Sequence, residues 1–343
     1  MSEPRILGKI AKSTLLAVAL LSFIGAGVSA RAESREVRIA LQFGIAYLPL
    51  TVMKHYGLVQ KRAQSAGLGK VKVSWTRFGN GAAMNDALIS GNLDFGSGGV
   101  GPLLTIWDRT KGSINVKGVA SLGSQPYYLN TSNPAVKAIK DFSAKDKIAL
   151  PGIKVSVQAI ILEMAAAKAF GESNFAKLDS LTVSMKHPDA YAALISGSGA
   201  IDAHFANAPF QEEELQHPNI HRVLSSYDVL GGRHTANSIY TTASFHDHHP
   251  KIYSVVLAAL KQATDMINHD RKRAAKVYAE ETHSKMSVNA LYKIISSPDF
   301  VFTIAPENIM EFATFMHKIG SLKHQPSSWK DVYFPEIHDQ PGS

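Results

Sequence analysis

Two stretches carry residue types that suggest chemistry: Ser97 within Gly96-Ser-Gly-Gly-Val-Gly101, and His246-Asp-His-His249. A serine between glycines has the setting of a nucleophile, yet no histidine or aspartate can be assigned as its base. No Gly-x-Ser-x-Gly, Walker or dinucleotide signature occurs. Ser97 therefore reads as a ligand-binding or helix-capping hydroxyl. The histidines are contiguous and run into Pro250, so they cannot all face one ion at the spacings zinc prefers. They read as a solvated loop, and neither metal nor cofactor is expected. The glycine run offers backbone instead. It lies between a short strand, Leu93-Asp-Phe95, and a helix opened by Pro102. Such a turn leaves N–H groups facing open space, where the helix dipole favours negative charge. This is chemistry for holding a small anion.

The elements that position the run recur. Ala87-Leu-Ile-Ser-Gly91 reads as a helix end stopped by glycine, and Ala193-Leu-Ile-Ser-Gly197 repeats it letter for letter. Arg38-Ile-Ala-Leu41 is echoed by Lys147-Ile-Ala-Leu150, and Lys72-Val-Ser-Trp75 by Thr182-Val-Ser-Met185. Both halves read strand, helix, strand, helix, strand ending in Asp (Asp94, Asp202). Shared βαβ grammar would account for part of this. Two similar α/β lobes with a ligand between them account for all of it.

Candidate contacts follow from strand ends, where open α/β sheets bind ligands. After the first strand (35–41) stand Gln42, Phe43 and Tyr47, followed by a helix 48–56 ended at Gly57. After the second strand (71–75), Asn80 can cap a helix or bind, and Gly81 leaves room for a ligand. Ser97 and Gly98 complete this side. Ser124 to Tyr128, with Gln125 and Tyr127, interrupts the pattern as a first crossing between lobes. In the second half, Ser156 is a cap or an oxygen ligand. Lys186-His187-Pro-Asp189 is an anion turn or a solvated loop with an Asp cap. His204, Phe205 and Asn207 match the glycine run by position. Gly231-Gly-Arg-His234 precedes the second crossing, and Arg233 is the basic residue best placed for an acid group. Helices are expected at 251–268, 271–281, 288–296 and 306–320.

The 343 residues are 45% hydrophobic and 19% charged, enough for two lobes with separate cores. Residues 1–32 read as a secretory signal: basic Arg5, Lys9 and Lys12, an apolar run 15–24, then small residues. Its removal takes away four basic residues and Glu3, lowering the formal charge from +8 to +5. The Lys and Arg residues are scattered rather than striped, which, with export, argues against nucleic acid. The chain has no cysteine, hence no disulfide, thiol nucleophile or lipid anchor.

Together, Val37 to Gln42, Tyr56-Gly-Leu58, Ala83 to Leu88, Gly91 to Ser97, and Ile201-Asp-Ala203 with Pro209 resemble the solute-binding proteins of ABC importers for nitrate, sulfonates and taurine. That group shares a fold with thiamine-pyrimidine synthases and the NMT1-like superfamily. The resemblance covers roughly 35–240. It departs from the sulfonate binders at Gly98 and Val100, where a Thr and an Asp are usual.

The resemblance implies an α/β, two-lobed periplasmic-binding-protein fold (type II), each lobe a mixed sheet flanked by helices, with two hinge crossings. The expected division is a signal at 1–32, lobe one at 33–125 and 235–343, and lobe two at 126–234. Family contacts carry over to Gln42, Asn80, Gly81, Ser97, Gly98 and Ser156. The implied function is capture of a small anionic organic solute by a periplasmic monomer. Delivery would be to an ABC permease and ATPase at the inner membrane. Aromatics at Phe43, Tyr47, Tyr127 and Phe205 favour a ligand with an apolar body over bare nitrate. No enzyme is expected, since the pyrimidine synthases and desulfinases of this group use cysteine. The alternatives are a cysteine-free lyase or decarboxylase, or a sensor for a membrane receptor.

Overall fold

The structure, a computed structural model, describes residues 35–343; the expected signal at 1–32 lies outside the described residues. The described residues form ten strands: β1 (Glu36–Leu41), β2 (Lys72–Arg77), β3 (Gly96–Gly99), β4 (Val116–Ser121), β5 (Tyr128–Thr131), β6 (Ile148–Leu150), β7 (Thr182–Ser184), β8 (Ala203–Ala206), β9 (His221–Ser225) and β10 (Asn237–Thr242). β7, β6 and β8 run parallel, and β8 continues antiparallel into β5 and β9. β2 and β1 are parallel, and β3, β10 and β4 are antiparallel neighbours. An Ile39–Phe95 bridge, with Ala40 N–H donating to Phe95 O at 2.9 Å, joins the last two groups. The two lobes thus share one strand order, with β10 and β5, the strands that follow the two crossings, in the matching place.

The matching sequence echoes have a shared hydrogen-bond pattern. Asp94 Oδ2 accepts from the Arg38 N–H at 2.7 Å, and Asp202 Oδ2 from the Lys147 N–H at 2.8 Å. In return, Arg38 O accepts from the N–H groups of Asp94 and Phe95, and Lys147 O from those of Asp202 and Ala203. In each lobe a carboxylate pins the start of one parallel strand to the start of its neighbour. Asp202→Asn should lower stability by about 1 kcal/mol, since the amide oxygen still accepts and only the charge assistance of the bond is lost. A urea midpoint equal to the parent's, with m unchanged, would show that the carboxylate does not contribute.

The glycine run corrects one expectation. Gly96 to Gly99 is not a turn but β3 itself, and the helix Val100–Thr110 follows without a loop. Side chains there would collide with the partner strand and the other lobe. A Cβ on Gly96 would lie 2.5 Å from the Tyr240 ring, and one on Gly99 would lie 2.7 Å from Val157.

The crossings run side by side. Ser124 bridges to Thr235, Ala236 N–H donates to Gly123 O at 2.9 Å, and the Tyr127 hydroxyl donates to Ala236 O at 3.0 Å. The C-terminal part is helical: Pro250–His269, Arg271–Thr282, Val288–Ile295 and Ile309–Lys318. The last helix begins later than expected because Asn308 takes the left-handed conformation, φ 59°. The histidine cluster is not a loop. Thr242 caps the helix Ala243–His248 through the Phe245 N–H, and His246 stacks on Phe334 while bonding Asp247 and Glu336. Among the described residues no helix is long and apolar enough to cross a membrane.

Candidate functional site

The ends of strands from both lobes meet at a small cavity of about 30 Å³, room for no more than a few waters. From the first lobe it is lined by Gln42, Phe43 and Tyr47 after β1, by Gly81, by Gly99 at the end of β3 and by Pro102 beyond it. From the second come Ser156, Val157 and Gln158 after β6, His187 after β7, and Asn207 after β8; Tyr127 and Asn237 flank the crossings. None of these lining residues is Lys, Arg, Asp or Glu.

Four helices begin at this cavity. Gly81 is the first residue of Gly81–Ile89, and Gly99 is the N-cap of Val100–Thr110. Ser156 is the N-cap of Val157–Phe170, accepting from the Ala159 N–H at 3.2 Å, and His187 is the first residue of His187–Ser196. Each brings the partial positive charge of its unpaired N–H groups.

The lobes touch across the cavity. Ile45 N–H donates to Ala208 O at 2.7 Å, and Asn207 Nδ2 donates to Phe43 O at 3.0 Å. Asn207 Oδ1 is buried without a hydrogen-bond partner. Beside this floor a wider cavity of about 720 Å³ opens, reached past Phe43, Arg77, Tyr191 and Phe210. The Arg77 guanidinium stands 5.2 Å from the centre of the Phe43 ring.

Other residues expected at the site lie elsewhere. Asn80 caps its helix through the Ala83 N–H at 3.0 Å and does not line the small cavity. Ser97 Oγ donates to Ala40 O, and Gln42 Nε2 donates to Ser97 O. Gly98 supports Gln42 from behind. Gln125 is buried at the first crossing with its Nε2 unpartnered, away from the lining. Three further candidates lie off the small cavity. Phe205 is 0% exposed and packs in the core, because β8 is a central strand covered on both faces. His204, on the same strand, sits behind His187 rather than at the surface of the cavity. Arg233 is half exposed outside the site and pairs with Glu307 at 3.4 Å.

The NMT1-like family matches residues 30–281. The chain belongs to the NMT1-like family. Solved structures share its fold. The alkanesulfonate-binding protein SsuA from Xanthomonas axonopodis pv. citri, bound to MOPS, superposes with TM-score 0.69 at 19% identity, over 86% of this chain and 96% of that one. The periplasmic aliphatic sulphonate binding protein SsuA from Escherichia coli gives 0.63 at 18%, over 88% and 92%. The periplasmic nitrate-binding protein NrtA from Synechocystis PCC 6803 gives 0.67 at 15%, over 88% and 85%. No curated protein sequence matches the chain.

In this NMT1-like chain two polar residues of the lining, Gln158 and Asn237, are not among the sequence candidates. Gln158 is a polar residue in the first turn of the apolar helix Val157–Phe170, and that contrast was a usable signal. Asn237 starts β10, where nothing distinguishes it from an ordinary strand residue. Burial shifts the titrating groups. It drives the His187 imidazole well below its ordinary pKa, helped by the neighbouring His204, and raises the phenols of Tyr47 and Tyr127. At neutral pH the lining is therefore uncharged, and the helix ends supply its positive potential.

Proposed function

We propose that this NMT1-like protein is the periplasmic solute-binding component of an ABC importer, closing its two lobes on a small anionic organic solute. The observation that carries this reading is the convergence of four helix N-termini on one cavity shared by both lobes. One such terminus is worth about 0.3–1 kcal/mol to an anion at an exposed site and up to about 2 kcal/mol when partly buried. The amides and hydroxyls of Gln42, Ser156, Gln158, Asn207 and Asn237 add directed hydrogen bonds, and Phe43, Tyr47 and Tyr127 offer an apolar body its wall. The similar structures named for sulfonate and nitrate support the same class.

On this reading the hinges lie near residues 125–126 and 234–235. The signal at 1–32 exports a monomer, and a permease with its ATPase receives the solute. The reading assigns no bond-breaking step to the site. The small size of the cavity supports a parting of the lobes to admit a solute, as in hinge closure generally.

The test is a thermal-shift and calorimetric screen of protein unfolded, dialysed and refolded to strip bound solute. Sulfonates, carboxylates and nitrate are set against uncharged heterocycles and sugars. An anion at one hundred times its Kd should add about 2.7 kcal/mol of stability. Stabilisation by uncharged solutes alone would overturn the anionic reading.

A further inference from the structure

Behind the cavity runs a buried chain of hydrogen bonds. Glu214 Oε1 lies 2.5 Å from His204 Nδ1, His204 Nε2 lies 2.8 Å from His187 Nδ1, and His187 Nε2 lies 3.2 Å from Gln158 Nε2. Glu214 Oε2 is held by Asn130 Nδ2 at 2.8 Å. Glu214 and His204 are fully buried, and His187 stacks on Phe210 and forms part of the cavity lining.

The chemistry of the donors orders this chain. A carboxylate only accepts, so His204 Nδ1 carries hydrogen toward Glu214. When both rings are neutral, His204 Nε2 has a lone pair and accepts from His187 Nδ1–H. His187 Nε2 then also has a lone pair, which suits the Gln158 amide nitrogen, a group that only donates. In this state the cavity meets an acceptor nitrogen backed by an uncompensated buried carboxylate, and both repel an anion.

One added proton reverses this. If it rests on His187, Nε2 becomes N–H directly. If it rests on His204, the bond between the rings is shared the other way, and His187 Nε2 again carries the hydrogen. Either ring leaves a donor facing the cavity and a charge opposite Glu214, and the Gln158 amide turns over to present its oxygen. The 2.8 Å contact between the rings needs one donor and one acceptor, so the pair holds at most one extra proton.

We propose that this chain charges the crevice: an anion entering it draws one proton from water onto the His187–His204 pair, and is held by His187 Nε2–H. The proposal rests on the anionic reading above. The other titratable groups facing the chain are Tyr47 and Tyr127 across the cavity, Tyr191 on the same helix, and Glu212 and Glu213 beside Glu214. Lys186 and Asp189 at the helix start pair with each other at 3.4 Å. None of these makes a hydrogen bond to either imidazole. The Gln158 amide nitrogen, 3.2 Å from His187 Nε2, marks the acceptor state as the one the crevice holds here.

The mature protein is titrated calorimetrically with ethanesulfonate, benzoate and nitrate between about pH 5.5 and about pH 8.5, in buffers of unlike ionisation enthalpy. Uptake approaching one proton per anion is expected, with affinity falling up to about tenfold per pH unit as pH rises. H187Q should bind without proton uptake, and E214Q should blunt the pH dependence. Anion binding that is independent of pH and releases or takes up no proton overturns the proposal and leaves the binding function standing.

If none of the three anions binds at any pH, the anionic reading fails, and nitrogen-15 spectra of the ligand-free imidazoles decide the chain by themselves. Hydrogen on His187 Nδ1 with a bare Nε2 at neutral pH is the acceptor state that the proposal requires before any anion enters. The opposite tautomer overturns it.

Discussion

Gly44→Ala is expected to weaken capture of the most stabilising anion about a hundredfold, roughly 2.7 kcal/mol, and to leave the free protein more open in small-angle scattering. Gly44 has φ 114° and ψ 164°, a region that only glycine enters without strain of about 1–3 kcal/mol. It also has no free space. A Cβ there would lie 2.4 Å from Asn207 Nδ2, the atom that donates to Phe43 O across the crevice. Relief of strain and relief of the clash both move the 42–47 turn away from the second lobe. The clash with Asn207 exists only where the lobes meet, so alanine shifts the equilibrium toward the open form. Gly67→Ala is the control. It sits at φ 73° with nothing within 4 Å of its Cβ, so it tests backbone strain alone. An affinity for Gly44→Ala equal to that of the control would mean that contact at this point does not govern closure.

The same contact marks the boundary of what the sequence reveals. The strand and helix order is legible because it is written in local chemistry. Gly57, Gly91 and Gly197 end their helices in or beside left-handed conformations, and Asp94 and Asp202 repeat one strand-pinning role. Positions just after strand ends are legible for a similar reason, and Gln42, Phe43, Tyr47, Gly81, Ser156, His187 and Asn207 do line one cavity. Facing and partnership are not local. In β8 all four residues are buried, so alternation could not tell that Phe205 turns to the core while His204 backs the site. Arg233 finds its carboxylate at Glu307, distant in the chain, and no composition rule points there. The glycines of β3 were expected to serve a turn, because nothing local tells of Tyr240 packed against Gly96 from a strand far downstream. Long-range packing thus decides which candidates become contacts.

His234→Gln should flatten the acid dependence of stability by about 3 kcal/mol between neutral pH and about pH 4. His234 is fully buried beside the second crossing, and burial holds its pKa down to about 4 despite the Thr235 carbonyl. Its neutral form is fully used: Nδ1–H donates to Thr235 O at 2.9 Å, and Nε2 accepts from Ser226 Oγ at 2.8 Å. Ser226 Oγ in turn accepts from the Tyr127 N–H of the first crossing. One neutral imidazole thereby ties the two hinge segments together. The folded pKa lies below the unfolded value of about 6.5, so at intermediate pH the unfolded chain binds a proton that the folded chain refuses. Stability from this group is whole above about pH 6.5, falls as pH drops, and is fully lost near about pH 4. Buried His187 acts with the same sign, and carboxylates titrate over part of the range, so the informative quantity is the difference between parent and variant. Urea unfolding across the pH range measures it. Glutamine can offer a donor and an acceptor but cannot ionise. If the two proteins lose stability in parallel as pH falls, protonation of His234 is not what acid exploits at the hinge.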